Sequence, residues 1–484
     1  MKHTRSLLLA LLSLGMVTAE GTPAAPAAVR PNIILILTDD LDTRLFARMP
    51  RLESLLSDHG TTFANGFVSL SLCCPSRSSI LRGQYAHNTG VYTNAPPGGG
   101  YQTFHDLGRE SSTVATWLRS SGYRTVLLGK YLNGYPGTEG AGYIPPGWNE
   151  WYSLTGGAKY FDYRLNENGS LVAYGSEPKD YLTDVLSRKA KNFVRRRAAA
   201  GDGRPFFMYL APYAPHGPAT PAPRHADAFP NAQAPRTPSF NEEEVGDKPG
   251  WVQNHALLTD RQVDRLDDLA RKRRQSMVAI EDMVESLIAT LEDTGQLSST
   301  YIFFTSDNGF HLGQHRLMPG KNTGFEEDLR VPLVVRGPGV PAGAVRRHLA
   351  VNIDLAPTFA ELAGVAAPSF VDGRSLVPLF RTSPPPVAAW RQAFLLEHGH
   401  PDGVTTTAAG APPVFQGLRT ADRWTYIEYV DGQRELYDLS GDPAQLDNAY
   451  ESADPALKER LAAWLDRLRG CAGVTCRGGE QPPQ

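Results

Sequence analysis

Apolar residues in this chain gather into short uninterrupted runs, separated by polar and glycine-rich stretches. The runs at 32–37, 125–128, 206–210, 301–304, 331–335 and 394–396 have the length of strands. Because they do not alternate with polar residues, they predict strands covered on both faces. Helical patterns lie between them. The segment 112–120 begins on polar residues and carries Val114, Trp117 and Leu118. Met277, Ile280, Val284, Leu287 and Leu291 recur at helical spacing until Gly295 ends the pattern. Strand and helix alternate, which predicts an α/β fold with a large, mostly parallel sheet flanked by helices.

Beyond Pro384 the pattern changes. Residues 424–430 alternate, a glycine-containing turn follows, and 435–439 completes an antiparallel hairpin. Residues 455–468 read as an amphipathic helix. We therefore expect a main domain over 29–383 and a smaller C-terminal subdomain over 384–484 built on an antiparallel sheet. Residues 215–260, rich in Pro, Ala and Asn, predict a long surface excursion.

Composition adds the compartment. The 484 residues carry a formal net charge of −3, without the basic excess of a nucleic-acid binder. Lys2 and Arg5 precede an apolar run over 7–17, and Val17-Thr18-Ala19 offers small residues for cleavage. That is the pattern of an export signal, so 1–28 reads as signal peptide and leader. No other stretch is apolar for long enough to span a bilayer. A secreted or otherwise extracytoplasmic protein is expected. Cys471 and Cys476 close a short loop, which suggests a local disulfide in an exported chain. Cys73 and Cys74 are adjacent, and a bond between them would strain the backbone.

Four of the strand-like runs end in chemically capable residues. They lead to Asp39-Asp40, to Gly129-Lys130, through a proline-rich turn to His216, and to Asp307-Asn308. Ligands bind beyond the carboxyl ends of strands in open α/β sheets. As parallel neighbours, these strands would gather the four groups on one edge. Asp39, Asp40, Asp307 and Asn308 offer hard oxygen ligands, which suit Ca²⁺ or Mg²⁺. The competing reading is that each aspartate caps a helix after its strand.

Cys73-Cys74-Pro75-Ser76-Arg77, followed by Leu81-Arg82-Gly83, resembles the Cys-x-Pro-Ser-Arg signature of the type I, formylglycine-dependent sulfatases. The resemblance continues through Thr38-Asp39-Asp40, Gly129-Lys130-Tyr131, Pro215-His216, Ser306-Asp307-Asn308-Gly309 and Lys321. It reaches the C-terminal part at Glu435-Leu436-Tyr437-Asp438-Leu439. Leu72 to Arg77, Gly129 to Asn133, and Tyr301 to Gly309 followed by His311 are phrased most like the N-acetylglucosamine-6-sulfatase branch.

The resemblance implies an alkaline phosphatase-like fold with 29–383 as the catalytic domain. The implied activity is hydrolysis of sulfate esters of sugars such as N-acetylglucosamine 6-sulfate, and of aryl sulfates. Cys73 would be oxidised to formylglycine by a formylglycine-generating enzyme during maturation. It would join Asp39, Asp40, Asp307 and Asn308 around one divalent cation, Ca²⁺ with Mg²⁺ as the alternative. One hydroxyl of the aldehyde hydrate, acidified by the cation, would attack sulfur; the second would then expel sulfate. A serine could perform the first step but not the second.

The remaining roles are distributed on the same basis. Lys130 and Lys321 would meet the spreading negative charge, Arg77 would steady the modified residue and its loop, and His216 would protonate the leaving oxygen. One departure stands out: many arylsulfatases carry His where this chain has Leu132, although the glucosamine-6-sulfatase branch also has Leu. Asn133 reads either as a substitute for that His or as a turn residue. His311 reads as a substrate contact or a loop histidine, while His87 and His315 carry weaker signals. Asn168-Gly169-Ser170 is a glycosylation sequon in a eukaryotic secretory route. Two rival functions remain: a phosphate or phosphonate ester hydrolase of the same superfamily, and an inactive binder of sulfated glycans.

Overall fold

The four apolar runs that end in reactive groups form the middle of one large sheet. The computed structural model describes residues 30–157, 159–399 and 410–483; the leader expected over 1–28 lies outside them. In chain order the sheet comprises β1 (Asn32–Thr38), β2 (Thr61–Phe67), β3 (Arg124–Gly129), β4 (Glu150–Thr155) and β5 (Arg164–Glu167). It continues with β6 (Ser170–Ala173), β7 (Phe206–Ala211), β8 (Thr300–Ser306), β9 (Leu333–Arg336) and β10 (Ala344–Val351). Their spatial order is β10-β2-β9-β8-β1-β7-β3-β4-β5-β6. Strands β8, β1, β7, β3 and β4 run parallel, with Leu35 paired to Phe303 on one side and Tyr209 on the other.

Both faces of this sheet are covered, which is why its central strands are apolar throughout. Ile33, Leu35 and Leu37 join a core with α1 (Cys73–Arg82) and α2 (Val114–Ser120). Ile34 and Ile36 face the opposite way, toward α3 (Leu182–Ala200) and α4 (Asp260–Asp293). A fifth helix, α5 (Leu355–Leu362), returns to the first face and packs Phe359 against Phe303 and Phe207. Helix α2 starts on a capping box between Thr113 and Thr116, and α4 on another between Thr259 and Gln262.

Some expectations shift. The run at 331–335 forms β9, which starts later and runs antiparallel between β8 and β2. The periodic segment around 277–291 is the second half of a helix of 34 residues. The excursion over 215–260 is largely irregular, but it is not confined to the surface. Ala222, Ala234, Val245 and Trp251 are buried in it.

The C-terminal hairpin belongs to a four-stranded antiparallel sheet: β11 (Ala393–His398), β12 (Phe415–Thr420), β13 (Trp424–Tyr429) and β14 (Arg434–Asp438). Helix α6 (Pro455–Arg469) packs on it through Leu461, Trp464, Leu465 and Leu468. This core also takes in Phe67, Leu349 and Val351 from the large sheet, so the two sheets share side chains. Cys471 and Cys476 are bonded. The tail beyond them returns to the main body, where the fully buried Arg391 donates to Asp354 Oδ1 (2.7 Å) and Glu480 Oε1 (2.6 Å). Among the described residues no helix is long and apolar enough to cross a membrane.

Candidate active site

Strands β8, β1, β7 and β3 are neighbours, so the groups that follow them meet above one sheet edge. Thr38 pairs with Ser306, which sets Asp39-Asp40 beside Asp307-Asn308. Hydrogen bonding continues past the strand ends. Asp307 N donates to Thr38 O (3.1 Å), Asp39 N to Ala214 O (3.3 Å) and Lys130 N to Ala211 O (2.9 Å). Gly129 turns the chain into Lys130 at φ 105°, and a Cβ there would lie 2.0 Å from Ala211 O. Only glycine fits that approach.

Cys73 arrives from another direction, as the first residue of α1. Pro75 is tolerated in the first turn because its missing N–H would have no helical partner there. Asn94 Oδ1 accepts from Cys74 N (2.8 Å), and Gly83 ends the helix at φ 68°. All ten residues of this helix are buried. The Cys73 thiol lies 3.5 Å from Asp39 Oδ1, and Lys321 Nζ is 2.7 Å from its sulfur.

The cations interleave with the acids. Lys130 Nζ sits 2.6 Å from Asp39 Oδ2, and Lys321 also pairs with Asp40. Arg77, one turn into α1, donates through Nε to Asp307 Oδ2 and through Nη1 to Lys130 O, both at 2.7 Å. His216 Nε2 lies 3.6 Å from Asp40 Oδ2, and its ring stacks on Tyr213. Asn308 Nδ2 donates to Asp40 Oδ1 (2.7 Å). Thus Asp39, Asp40, Cys73, Arg77, Lys130, His216, Asp307, Asn308 and Lys321 all meet in one place. The capping alternative fails for these aspartates; the residue that caps a helix here is Asp42, which accepts from Leu45 N (2.9 Å).

Electrostatics follow from burial and pairing. Burial alone would raise the Asp39 carboxyl, but Lys130, His216 and Arg77 outweigh it and hold the group at about 2. Asp40 is likewise lowered against its burial, by Lys321 and His216. Burial pushes the Cys73 thiol up to about 12, with Lys130 and Lys321 countering only part of the effect. Burial works against the charged form of Lys130 too, yet Asp39 keeps its pKa above the ordinary range.

The donor set fits a hard divalent cation. Ligand atoms of Asp39, Asp40, Cys73 and His216 lie within 4.8 Å of one another. Asp307 touches the same cluster, with its Oδ1 accepting from Asp40 N (3.1 Å). Asn308 Oδ1 is buried and has no hydrogen-bond partner, an orphaned acceptor beside three carboxylates. Such an oxygen is a ready ligand for Ca²⁺ or Mg²⁺.

Other residues find structural roles. His311 Nδ1 is held by Asp328 Oδ1 (2.9 Å), and His311 bridges to Gly320, which fixes the loop that presents Lys321. His315 is buried on Glu242, and His87 bonds Glu397 and the carbonyl of Cys471. Leu132 is buried, and Asn133 lines a cavity of about 150 Å³ with Lys130, Tyr213 and His216. Asn168 sits in the β5–β6 turn and accepts from Trp151 N. Asn94 and Asp328 gave no signal of their own in the sequence, since each works through a partner 17 or more positions away.

The description "Sulfatase" is that of the family model matching residues 31–365. The chain belongs to the sulfatase family. A second model, of the N-sulphoglucosamine sulphohydrolase C-terminal region, matches this sulfatase over 313–470. N-acetylglucosamine-6-sulfatase of Capra hircus is 37% identical over 488 residues, covering 94% of this chain and 86% of that protein. A solved structure in complex with its substrate D-glucosamine-2-N,6-O-disulfate is similar at TM-score 0.77 and 25% identity, covering 90% of this chain and 97% of that one. The phosphonate monoester hydrolase of Silicibacter pomeroyi matches at TM-score 0.69 and 25% identity, over 90% and 93% of the two chains. The fold is therefore the alkaline phosphatase-like fold of sulfatases, and the protein is a sulfuric ester hydrolase.

Proposed function

We propose that this sulfatase removes the 6-sulfate of N-acetylglucosamine or glucosamine units in sulfated glycans, and also cleaves aryl sulfates. On this reading Cys73 is oxidised to formylglycine by a generating enzyme, and Asp39, Asp40, Asp307 and Asn308 hold one Ca²⁺ or Mg²⁺. The observation that carries the reading is the position of Cys73 Sγ, in contact with both Lys321 and Asp39 inside the acidic cluster. The Capra hircus relative supports the choice of sugar. The N-terminal pattern of 1–28 supports export.

The modified side chain and the cation, when present, would supply an acidified hydroxyl as nucleophile. The chain's own residues supply the rest. Lys130 and Lys321 flank the position of Cys73 and would hold the ester's sulfonate oxygens. Arg77 braces Asp307 and the Lys130 carbonyl, which keeps the acids and the helix in register. His216, partly exposed, would protonate the departing alcohol oxygen. Three carboxylates and three basic side chains cancel in charge. A divalent cation would then leave a positive excess that favours binding of the singly charged sulfate ester.

The solved phosphonate hydrolase keeps the rival reading in play. Rates on paired aryl sulfates and aryl phosphonates decide between them, and we expect sulfate to be preferred. Peptide mass spectrometry across 73–77 should show Cys73 lighter by about 18 Da than the unmodified thiol, the CH₂SH to CHO difference. Cys73→Ala should abolish release of sulfate from N-acetylglucosamine 6-sulfate. Cys73→Ser should accept one sulfate covalently and stop. Full activity in the alanine variant overturns the mechanism.

A further inference from the structure

The acidic cluster does not keep its shape unaided. Asp40 has φ 68°, the left-handed region that side chains other than glycine adopt only at a cost. Such a conformation persists only when its surroundings over-determine it. Asp40 N donates to Asp307, and its side chain meets Asn308 and Lys321, all members of the cluster itself. Its backbone carbonyl has a partner from outside. Arg273 Nη2 donates to Asp40 O at 2.7 Å.

Arg273 belongs to α4, which otherwise covers a face of the sheet with apolar side chains. Its side chain is 1% exposed and also donates to Asp42 Oδ2 at 3.0 Å. The guanidinium lies over the Phe310 ring, 4.3 Å from its centre. Asp40 and Asp42 follow β1, whereas Phe310 follows β8, two residues after Asn308. One planar group therefore ties together the two strand ends that carry the four oxygen ligands. A positive charge this close to a cation site would repel the ion, and Asp42 offsets it. Arg273 Nε and Nη1 have no protein partner, and an adjoining cavity of about 20 Å³, lined by Asp42, Arg48 and Gln233, has room for one water.

We propose that Arg273 is a positioning residue for the cation site. It holds the Asp40 carbonyl, and through it the direction of the Asp40 carboxylate, without touching cation or substrate. Lysine cannot replace it, because an ammonium cannot lie flat on Phe310 while reaching two acceptors. The inference rests on reading the cluster as a cation site. The first measurement therefore separates the two: calorimetric titration of chelator-treated wild-type protein with Ca²⁺. Absence of binding there and in a parallel Mg²⁺ titration refutes the cation site itself, and Arg273 with it.

With wild-type binding established, Arg273→Lys and Arg273→Gln should weaken Ca²⁺ affinity about 10- to 100-fold. Turnover of an aryl sulfate should then recover as Ca²⁺ is raised, with KM for the ester unchanged. A purely structural role predicts something else: a lower melting temperature of the metal-free protein with the Ca²⁺ dissociation constant unmoved. That result overturns the proposal. Should both variants fail to fold, Asp42→Asn tests the same brace from its other arm. It should shift Ca²⁺ affinity in the same direction, and an unchanged affinity there also overturns it.

Discussion

At the scale of single residues, the site shows how far pairing can outweigh burial. Asp39 is fully buried, a setting that opposes ionisation, yet Lys130, His216 and Arg77 keep it charged. The same contest occurs away from the chemistry at His87. Burial would lower its imidazole, but Glu397, the Cys471 carbonyl and Asp372 raise it to about 9. A histidine raised in the folded state stabilises fully below its unfolded value near 6.5 and loses that contribution as pH climbs through the folded one. Wild-type stability should therefore fall by up to about 3 kcal/mol between neutral pH and pH near 10 from this group alone. His87→Gln should start less stable and show a flatter decline, as read from urea midpoints across pH. An unaltered slope would show that the His87–Glu397 pair does not carry this dependence.

At the scale of elements, the decisive feature is four parallel strands side by side, each ending in a reactive group. Gly129 shows how tight that edge is. Gly129→Ala would force a side chain against the Ala211 carbonyl at a backbone angle alanine resists. We expect a loss of about 2–4 kcal/mol and a turnover reduced beyond the loss of folded protein, because Lys130 is the next residue. Denaturant titration and steady-state kinetics check both parts. These four strands were legible because burial on both faces leaves an unbroken apolar run. β2 and β10 were not, since Thr61, Thr62 and Asn65 in one, and Arg346 and Arg347 in the other, interrupt any such run. Helix α1 was missed for the opposite reason. Buried all round and rich in serine, it has no polar face to create a period. Asp39, Asp40, Lys130, His216, Asp307 and Asn308 could be picked out by residue type and position after a strand, whereas Cys73, Arg77 and Lys321 follow no strand and were found through the family resemblance. Arg273 could not, because its meaning depends on a carbonyl 233 positions away.

At the scale of the whole molecule, the second sheet and the tail behave as a clasp on the main body. Arg391, Asp354 and Glu480 are all buried and join the tail to the segment that leads into α5. Breaking such a pair strands an uncompensated charge, which costs about 3–5 kcal/mol. Arg391→Met should lower the melting temperature by several degrees while leaving KM for an aryl sulfate unchanged, as differential scanning fluorimetry and kinetics would show. A wild-type melting temperature in that variant would mean the clasp adds nothing. The burial of Cys73, 1% exposed at the head of a fully enclosed helix, has a consequence of timing. On the formylglycine reading, an oxidising enzyme needs that thiol in extended, accessible chain. On that reading maturation would have to precede folding, and protein that folded first would escape it. Native unmodified protein should stay inert when mixed with the generating enzyme, whereas the same protein presented unfolded should be converted.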